Sequence, residues 1–191
     1  MKTVKEFSTY LYEIKKSKFI TLLYQIDDIS KVNFYLDKAK ELYKDATHYC
    51  FAYKVNGIQK FSDDGEPGGT AGLPIIEVLN KRELDNILCI VIRYFGGIKL
   101  GAGGLVRAYS KAVRDALDNS EIISLVKGYL ISIIVNYDEQ KQLDYLFGNR
   151  IIKKDFNEKI IYYIEIKEED ISLLNNINYE ILEERMIKES Y

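Results

Sequence analysis

The chain is poor in the residues that perform the most recognisable chemistry. Its 191 residues include one histidine and two cysteines. With no Cys-x-x-Cys pair and no second histidine, the ligand set of a structural zinc site is missing. Cys50 and Cys89 each sit in an apolar, strand-like segment, which suits buried thiols in a reducing compartment better than a disulfide framework. Long hydrophobic runs are absent too. The run at residues 87–92 has strand length, far below the roughly 20 residues that span a bilayer. The opening Met1-Lys2-Thr3-Val4-Lys5-Glu6-Phe7-Ser8 holds no apolar stretch of the secretory kind. These absences lead to the expectation of a cytoplasmic protein without a membrane partner.

What is present is enough for a packed core: 47% hydrophobic and 29% charged residues is an ordinary globular composition. The net charge of −2 conceals an asymmetry. Residues 1–127 carry 19 Lys and Arg against 16 Asp and Glu, and residues 128–191 carry 8 against 13. The first part is mildly basic, which is compatible with nucleic acid without demanding it. The second part would repel a phosphate backbone unless its acids face away.

Alternation and apolar runs predict strands over residues 10–14, 19–26, 47–55, 58–61 and 87–94, with Asn56-Gly57 as a two-residue hairpin turn. Helical spacing predicts helices over residues 29–43, from a Thr70 cap to about residue 81, and from Gly103 or Gly104 to about residue 117. A boundary is expected at Gly128, after a segment at residues 122–126. Beyond it come strand 129–136, helix 139–147, strands 151–156 and 160–166, helix 169–177 and strand 179–183. That βαββαβ order is ferredoxin-like. The expectation is therefore an α+β protein of two domains, residues 1–127 and 128–191.

Nine of the twelve glycines and both prolines lie in two stretches, Phe61-Ser62-Asp63-Asp64-Gly65-Glu66-Pro67-Gly68-Gly69-Thr70-Ala71-Gly72-Leu73-Pro74 and residues 93–109. The second follows a buried strand and opens a helix, the setting in which backbone N–H groups and the helix dipole hold phosphate. It is not a Walker loop, since no Gly-Lys-Ser/Thr follows, and the dinucleotide fingerprint is out of register. Candidate anion- or RNA-binding residues are Gly96, Gly97, Lys99, Gly101, Gly103 and Gly104, with a helical stripe of Arg107, Lys111 and Arg114. A solvated face over tightly packed glycines explains the same residues equally well. In the acidic loop, Asp63, Asp64 and Glu66 offer oxygens of the kind Mg²⁺ takes, although Asp-Gly and Glu-Pro-Gly are also ordinary turn formers. No nucleophile or base stands out, so no catalytic residue is assigned and no cofactor is required. His48 and Cys50 share one face of a strand, but neighbours at that spacing rarely pair as nucleophile and base, and a hydrogen-bonded histidine is the better expectation. The sixteen tyrosines could stack RNA bases, though strand positions such as Tyr10, Tyr12, Tyr24, Tyr162 and Tyr163 suit amphipathic sheet residues.

Taken together, Ser17-Lys18-Phe19, His48-Tyr49-Cys50-Phe51-Ala52-Tyr53, the Ser62–Gly72 stretch, Arg93-Tyr94-Phe95-Gly96-Gly97 and Leu100-Gly101-Ala102-Gly103-Gly104-Leu105-Val106-Arg107-Ala108-Tyr109 resemble the signature of the YigZ/IMPACT family, over about residues 15–125. The resemblance implies a ribosomal-protein-S5-domain-2-like fold for the first domain and a ferredoxin-like second one. It also implies a link to translation, because eukaryotic members restrain a starvation-activated kinase of translation initiation. That kinase role belongs to members with a further N-terminal domain and is not carried over. The expected function is a translation-linked regulatory protein that binds RNA, the ribosome or a translation-associated protein through its glycine-rich loops. The alternatives are a Mg²⁺-dependent enzyme acting on a phosphorylated or nucleotide substrate, and an adaptor that binds protein without nucleic acid.

Overall fold

The computed structural model describes residues 1–190, which form two compact α+β units meeting at Ile123 and Ser124. The first unit holds β1 (Lys2–Val4), β2 (Ser8–Ile14), β3 (Ser17–Gln25), α1 (Lys31–Leu42), β4 (His48–Val55), β5 (Ile58–Ser62), α2 (Gly72–Lys81), β6 (Ile87–Tyr94) and α3 (Ala102–Asp118). Its antiparallel sheet has the order β2-β3-β6-β4-β5. Helices α2 and α3 pack on one face over Phe19, Leu23, Cys50, Cys89 and Val91. Helix α1 lies on the other face over Leu22, Tyr24, Leu88, Ile90 and Ile92. Strand β6 is central and covered on both sides, so it reads as a continuous apolar run where a one-sided strand would alternate.

The hairpins follow two different routes to the same turn. Asn56 and Gly57 both have positive φ, at 50° and 79°, the type I′ geometry that their sequence announces. Lys15 and Lys16 take the same left-handed path between β2 and β3, at 47° and 64°, although neither is a residue that favours it. Strand β1 is too short to show a pattern in sequence. Its Thr3 is fixed when Oγ1 donates to the Asn86 carbonyl at 2.9 Å.

The second unit contains β7 (Ile122–Val135), α4 (Gln140–Phe147), β8 (Ile151–Phe156), β9 (Ile160–Lys167), a 3₁₀ segment (Glu168–Leu174) and β10 (Tyr179–Lys188). Its strands run β10-β7-β9-β8, all antiparallel, in the βαββαβ element order. The alternation of β9 puts Ile160, Tyr162, Ile164 and Ile166 in a core with Ile131, Ile133, Leu143 and Phe147. One sequence expectation is revised: the helix expected over residues 169–177 is a 3₁₀ segment over Glu168–Leu174, in which Ile171 and Leu174 face the core three positions apart, the spacing of that helix. The boundary expected at Gly128 lies within β7, as does the division at Ile123 and Ser124, so this one strand carries the chain from the first unit into the second.

Gly128 is a packing glycine. A Cβ there would lie 2.6 Å from the Ile166 carbonyl oxygen and 2.4 Å from Ile187 Cδ1, which lets β9 and β10 close on β7. Among the described residues no helix is long and apolar enough to cross a membrane. Gly128→Ala is expected to destabilise the second unit by about 2 kcal/mol through overpacking, read as a lower urea midpoint with an unchanged transition slope.

Candidate functional site

The two glycine-rich stretches meet at one end of the first unit, and a buried ion pair joins them. Glu66 leaves the acidic loop and turns inward, its side chain only 3% exposed. There Oε1 accepts from Arg93 Nη1 at 2.6 Å and from the Tyr109 hydroxyl at 2.8 Å. Arg93, at the end of the apolar run of β6, is the first residue of the second glycine stretch, and Tyr109, on α3, is its last. One carboxylate thus ties the first loop to both ends of the second. The guanidinium is also held by rings, at 5.5 Å from the Phe19 centroid and 5.6 Å from that of Phe95. Its Nε is buried and has no hydrogen-bond partner.

The remaining acids of this loop are engaged by the protein itself. Asp63 Oδ1 accepts from the N–H groups of Ala71 and Gly72 at 3.0 and 2.8 Å, and Oδ2 from that of Gly69 at 2.8 Å. Helix α2 has no cap on its own N-cap residue, Ala71. Asp63 performs that task from a distance, and the expected Thr70 cap instead donates its hydroxyl to the Pro67 carbonyl at 2.6 Å. Desolvation pushes the Asp63 carboxyl up, but three backbone donors outweigh it and hold it below the usual carboxylate range. Asp64 Oδ2 accepts the Tyr49 N–H at 2.6 Å. Asp63, Asp64 and Glu66 are the oxygens that the sequence offers to Mg²⁺, and each is already engaged. The three carboxylates diverge onto separate protein donors, and no cluster of metal-ligating side chains forms among the described residues.

His48 and Cys50 both point beneath this loop without pairing with each other. His48 Nδ1 carries its hydrogen, because it faces the Asp64 carbonyl oxygen at 2.7 Å, and Nε2 is 3.7 Å from Glu66 Oε2. Cys50 Sγ lies 3.0 Å from the Asp63 carbonyl and 3.3 Å from the Tyr109 hydroxyl. Burial pushes the Cys50 thiol up to about 12, and burial also drives the Tyr109 phenol well above its ordinary value. Neither is a poised nucleophile. The cluster organises the loops.

The glycine stretch divides into parts with different tasks. Gly96 is committed to the fold: its N–H donates to Ser17 Oγ at 3.1 Å, and a Cβ would meet the Lys16 carbonyl carbon at 2.0 Å. Gly97 and Gly101 have positive φ, and Gly103 and Gly104 form the first turn of α3. That turn has Gly101 as N-cap, no side-chain cap and no acidic residue, so its first N–H groups lack intrahelical partners. Arg107 bends back towards it, with Nη1 3.6 Å from where a Gly103 Cβ would lie. Lys99, Gly101, Gly103 and Arg107 are exposed.

Of the remaining stripe, Lys111 is paired with Asp115 at 2.8 Å and lies over the Tyr12 ring. Arg114 sits about three turns along α3 and faces a groove with Lys81 at the end of α2 and Arg82 just after it, away from the loops. Sequence reasoning passed over three contributors. Lys15 and Lys16 are exposed and brought against Gly96 by their left-handed turn, and no glycine or asparagine marks that turn. Arg93 did leave a signal, since a charge ending a strand this apolar requires a buried partner.

Residues 15–117 match the model of the Impact N-terminal domain. The chain is 41% identical over 166 residues to the IMPACT family member YvyE of Bacillus subtilis (strain 168), covering 85% of this chain and 75% of that protein. It is 35% identical over 172 residues to an IMPACT family member of Haemophilus influenzae, covering 86% and 84% respectively. It also resembles the crystal structure of a hypothetical protein, with a TM-score of 0.64 and 28% identity over 95% of this chain and 97% of that one.

Two substitutions test the interior of the site. Glu66→Gln leaves Arg93 buried without a counter-charge and is expected to cost about 3 kcal/mol in urea unfolding, much of it recovered when Arg93→Met is added. Asp63→Asn is expected to cost about 1–2 kcal/mol at pH 6. Because the folded pKa of Asp63 is lowered, its stabilisation is present above the unfolded value of about 3.9 and fades as pH falls through the folded one. The stability gap between wild type and Asp63→Asn should therefore close below about pH 4.

Proposed function

Because the chain belongs to the IMPACT family, we propose that it is a translation-linked regulatory protein that grips RNA, free or in the ribosome, with the glycine-rich end of its first unit. One observation carries this. The start of α3 has neither a cap nor an acidic residue, and the Arg107 guanidinium is folded back upon it. A cation beside the positive end of a helix dipole is unfavourable until an anion lies between them. A backbone phosphate supplies that anion and takes the unpaired N–H groups as donors.

The surroundings support the same ligand. Lys15, Lys16 and Lys99 are exposed, and the first two are fixed beside the glycine stretch by the close approach at Gly96. Such contacts fix position and orientation without reading sequence. Their small number accords with a domain whose basic excess is slight. Two of the three acids in the neighbouring loop are withdrawn, Glu66 by pairing with Arg93 and Asp63 under backbone donors, while Asp64 stays exposed.

Fluorescence anisotropy with labelled RNA across a salt series tests the proposal. Roughly four phosphate contacts predict a log–log slope near −3 for a single strand. Arg107→Glu should weaken binding about tenfold or more and reduce the steepness of that slope by about 1. Absence of wild-type RNA binding, together with capture of the same protein partners from nuclease-treated and untreated lysate, would replace RNA with a protein ligand.

A further inference from the structure

The aromatic ring at the centre of this surface has a use that phosphate binding leaves unexplained. Phe95 follows the end of β6 and is 45% exposed, as is Ile98 at 44%. An exposed apolar residue is unremarkable singly, but the backing of this ring is specific. Its N–H donates to Thr47 Oγ1 at 2.9 Å, and the Thr47 N–H donates to the Arg93 carbonyl at 2.8 Å, so the backbone is tied on both sides of the strand end. The next residue, Gly96, is pressed against the Lys16 backbone. The Arg93 guanidinium lies over the ring from the buried side, 5.6 Å from its centroid, and is itself locked by Glu66. Gly96 and Gly97, which follow it, carry no side chain, and the exposed Lys99 and the Lys16 whose backbone meets Gly96 belong to the same end of the unit.

We infer that Phe95 is a stacking platform for an unpaired nucleobase, so that the RNA bound at this surface is single-stranded. The inference rests on the RNA reading of the preceding subsection and narrows it to one class of RNA. A ring on a backbone fixed by hydrogen bonds and a close contact, with a buried cation against it, loses little freedom when a base lies on it. Lysines on either side take the adjoining phosphates. A base stacks on such a ring whatever its identity, because every base offers a π-face, which suits a surface with no evident hydrogen-bonding code. In a duplex the bases are stacked on one another and closed to the ring. The platform therefore separates unpaired from paired RNA where backbone charge alone would not.

The experiment uses the full chain and an oligoadenylate of about 12 nucleotides with 2-aminopurine at a central position, beside a duplex of equal length. Wild-type binding should quench the 2-aminopurine. Phe95→Ala should abolish the quench and weaken single-strand binding about tenfold, with the salt slope and duplex affinity unchanged. Phe95→Tyr should restore both quench and affinity, and thermal melting by circular dichroism establishes that each variant is folded. If Phe95→Ala binds and quenches like the wild type while Arg107→Glu binds weakly, stacking is overturned and the RNA reading stands. If the wild type binds neither single strand nor duplex, that reading falls and this inference falls with it.

Discussion

The buried pair between Glu66 and Arg93 is the constraint on which the functional end of the molecule depends. Taken alone such a pair is a doubtful source of stability, since removing two charges from water costs about as much as their attraction returns. Its value here is positional. Glu66 comes from a turn-rich loop with little apolar content of its own, and Arg93 ends the central strand. Their contact, extended to the Tyr109 hydroxyl, fixes a loop, a strand end and a helix at a single point. The cation also supports Phe95 from behind, so the exposed surface takes its shape from an interaction that solvent scarcely reaches.

A division of labour among similar residues follows. Of the three acids in the first loop, Asp63 serves the helix start, Asp64 the strand edge through Tyr49 and Glu66 the buried arginine. Of the glycines in the second, Gly96 permits a close approach, whereas Gly97 and Gly101 permit left-handed backbone. Composition presents these as one acidic loop and one glycine loop. The structure resolves them into separate tasks, most of them internal, while Phe95, Ile98, Lys99, the first turn of α3 and Arg107 face outward with the Lys15–Lys16 turn.

How much of this was legible in sequence depends on how local the cause is. The strands of both units show themselves through alternation or a continuous apolar run, because burial on one or two faces acts residue by residue. Asn56-Gly57 announces its turn, since those residues favour the backbone it needs. Lys15-Lys16 announces nothing: its left-handed turn comes from the two-residue connection between paired β2 and β3, in residues that do not favour that backbone. The 3₁₀ segment after β9 was read as an α-helix because periods of 3.0 and 3.6 diverge little over so few residues. Glu66 was read as a turn residue beside Asp63 and Asp64, since Glu-Pro-Gly carries no sign of a counter-charge 27 positions further on. The meeting of the two loops was foreseeable from their unusual composition. The inward turn of the acids was not, as it depends on a tertiary pairing.

The sulfur beneath the acidic loop gives the site a property of another kind. Burial pushes the Cys50 thiol up to about 12, so at neutral pH almost none of it is thiolate, the form that attacks peroxide and disulfides. Cys50 is fully buried as well, and Cys89 behind it is buried without a charged neighbour. The two thiols of the layer that carries the loops are therefore shielded from oxidants for as long as that layer stays packed, and the loops rest on a floor that exposes no reactive sulfur.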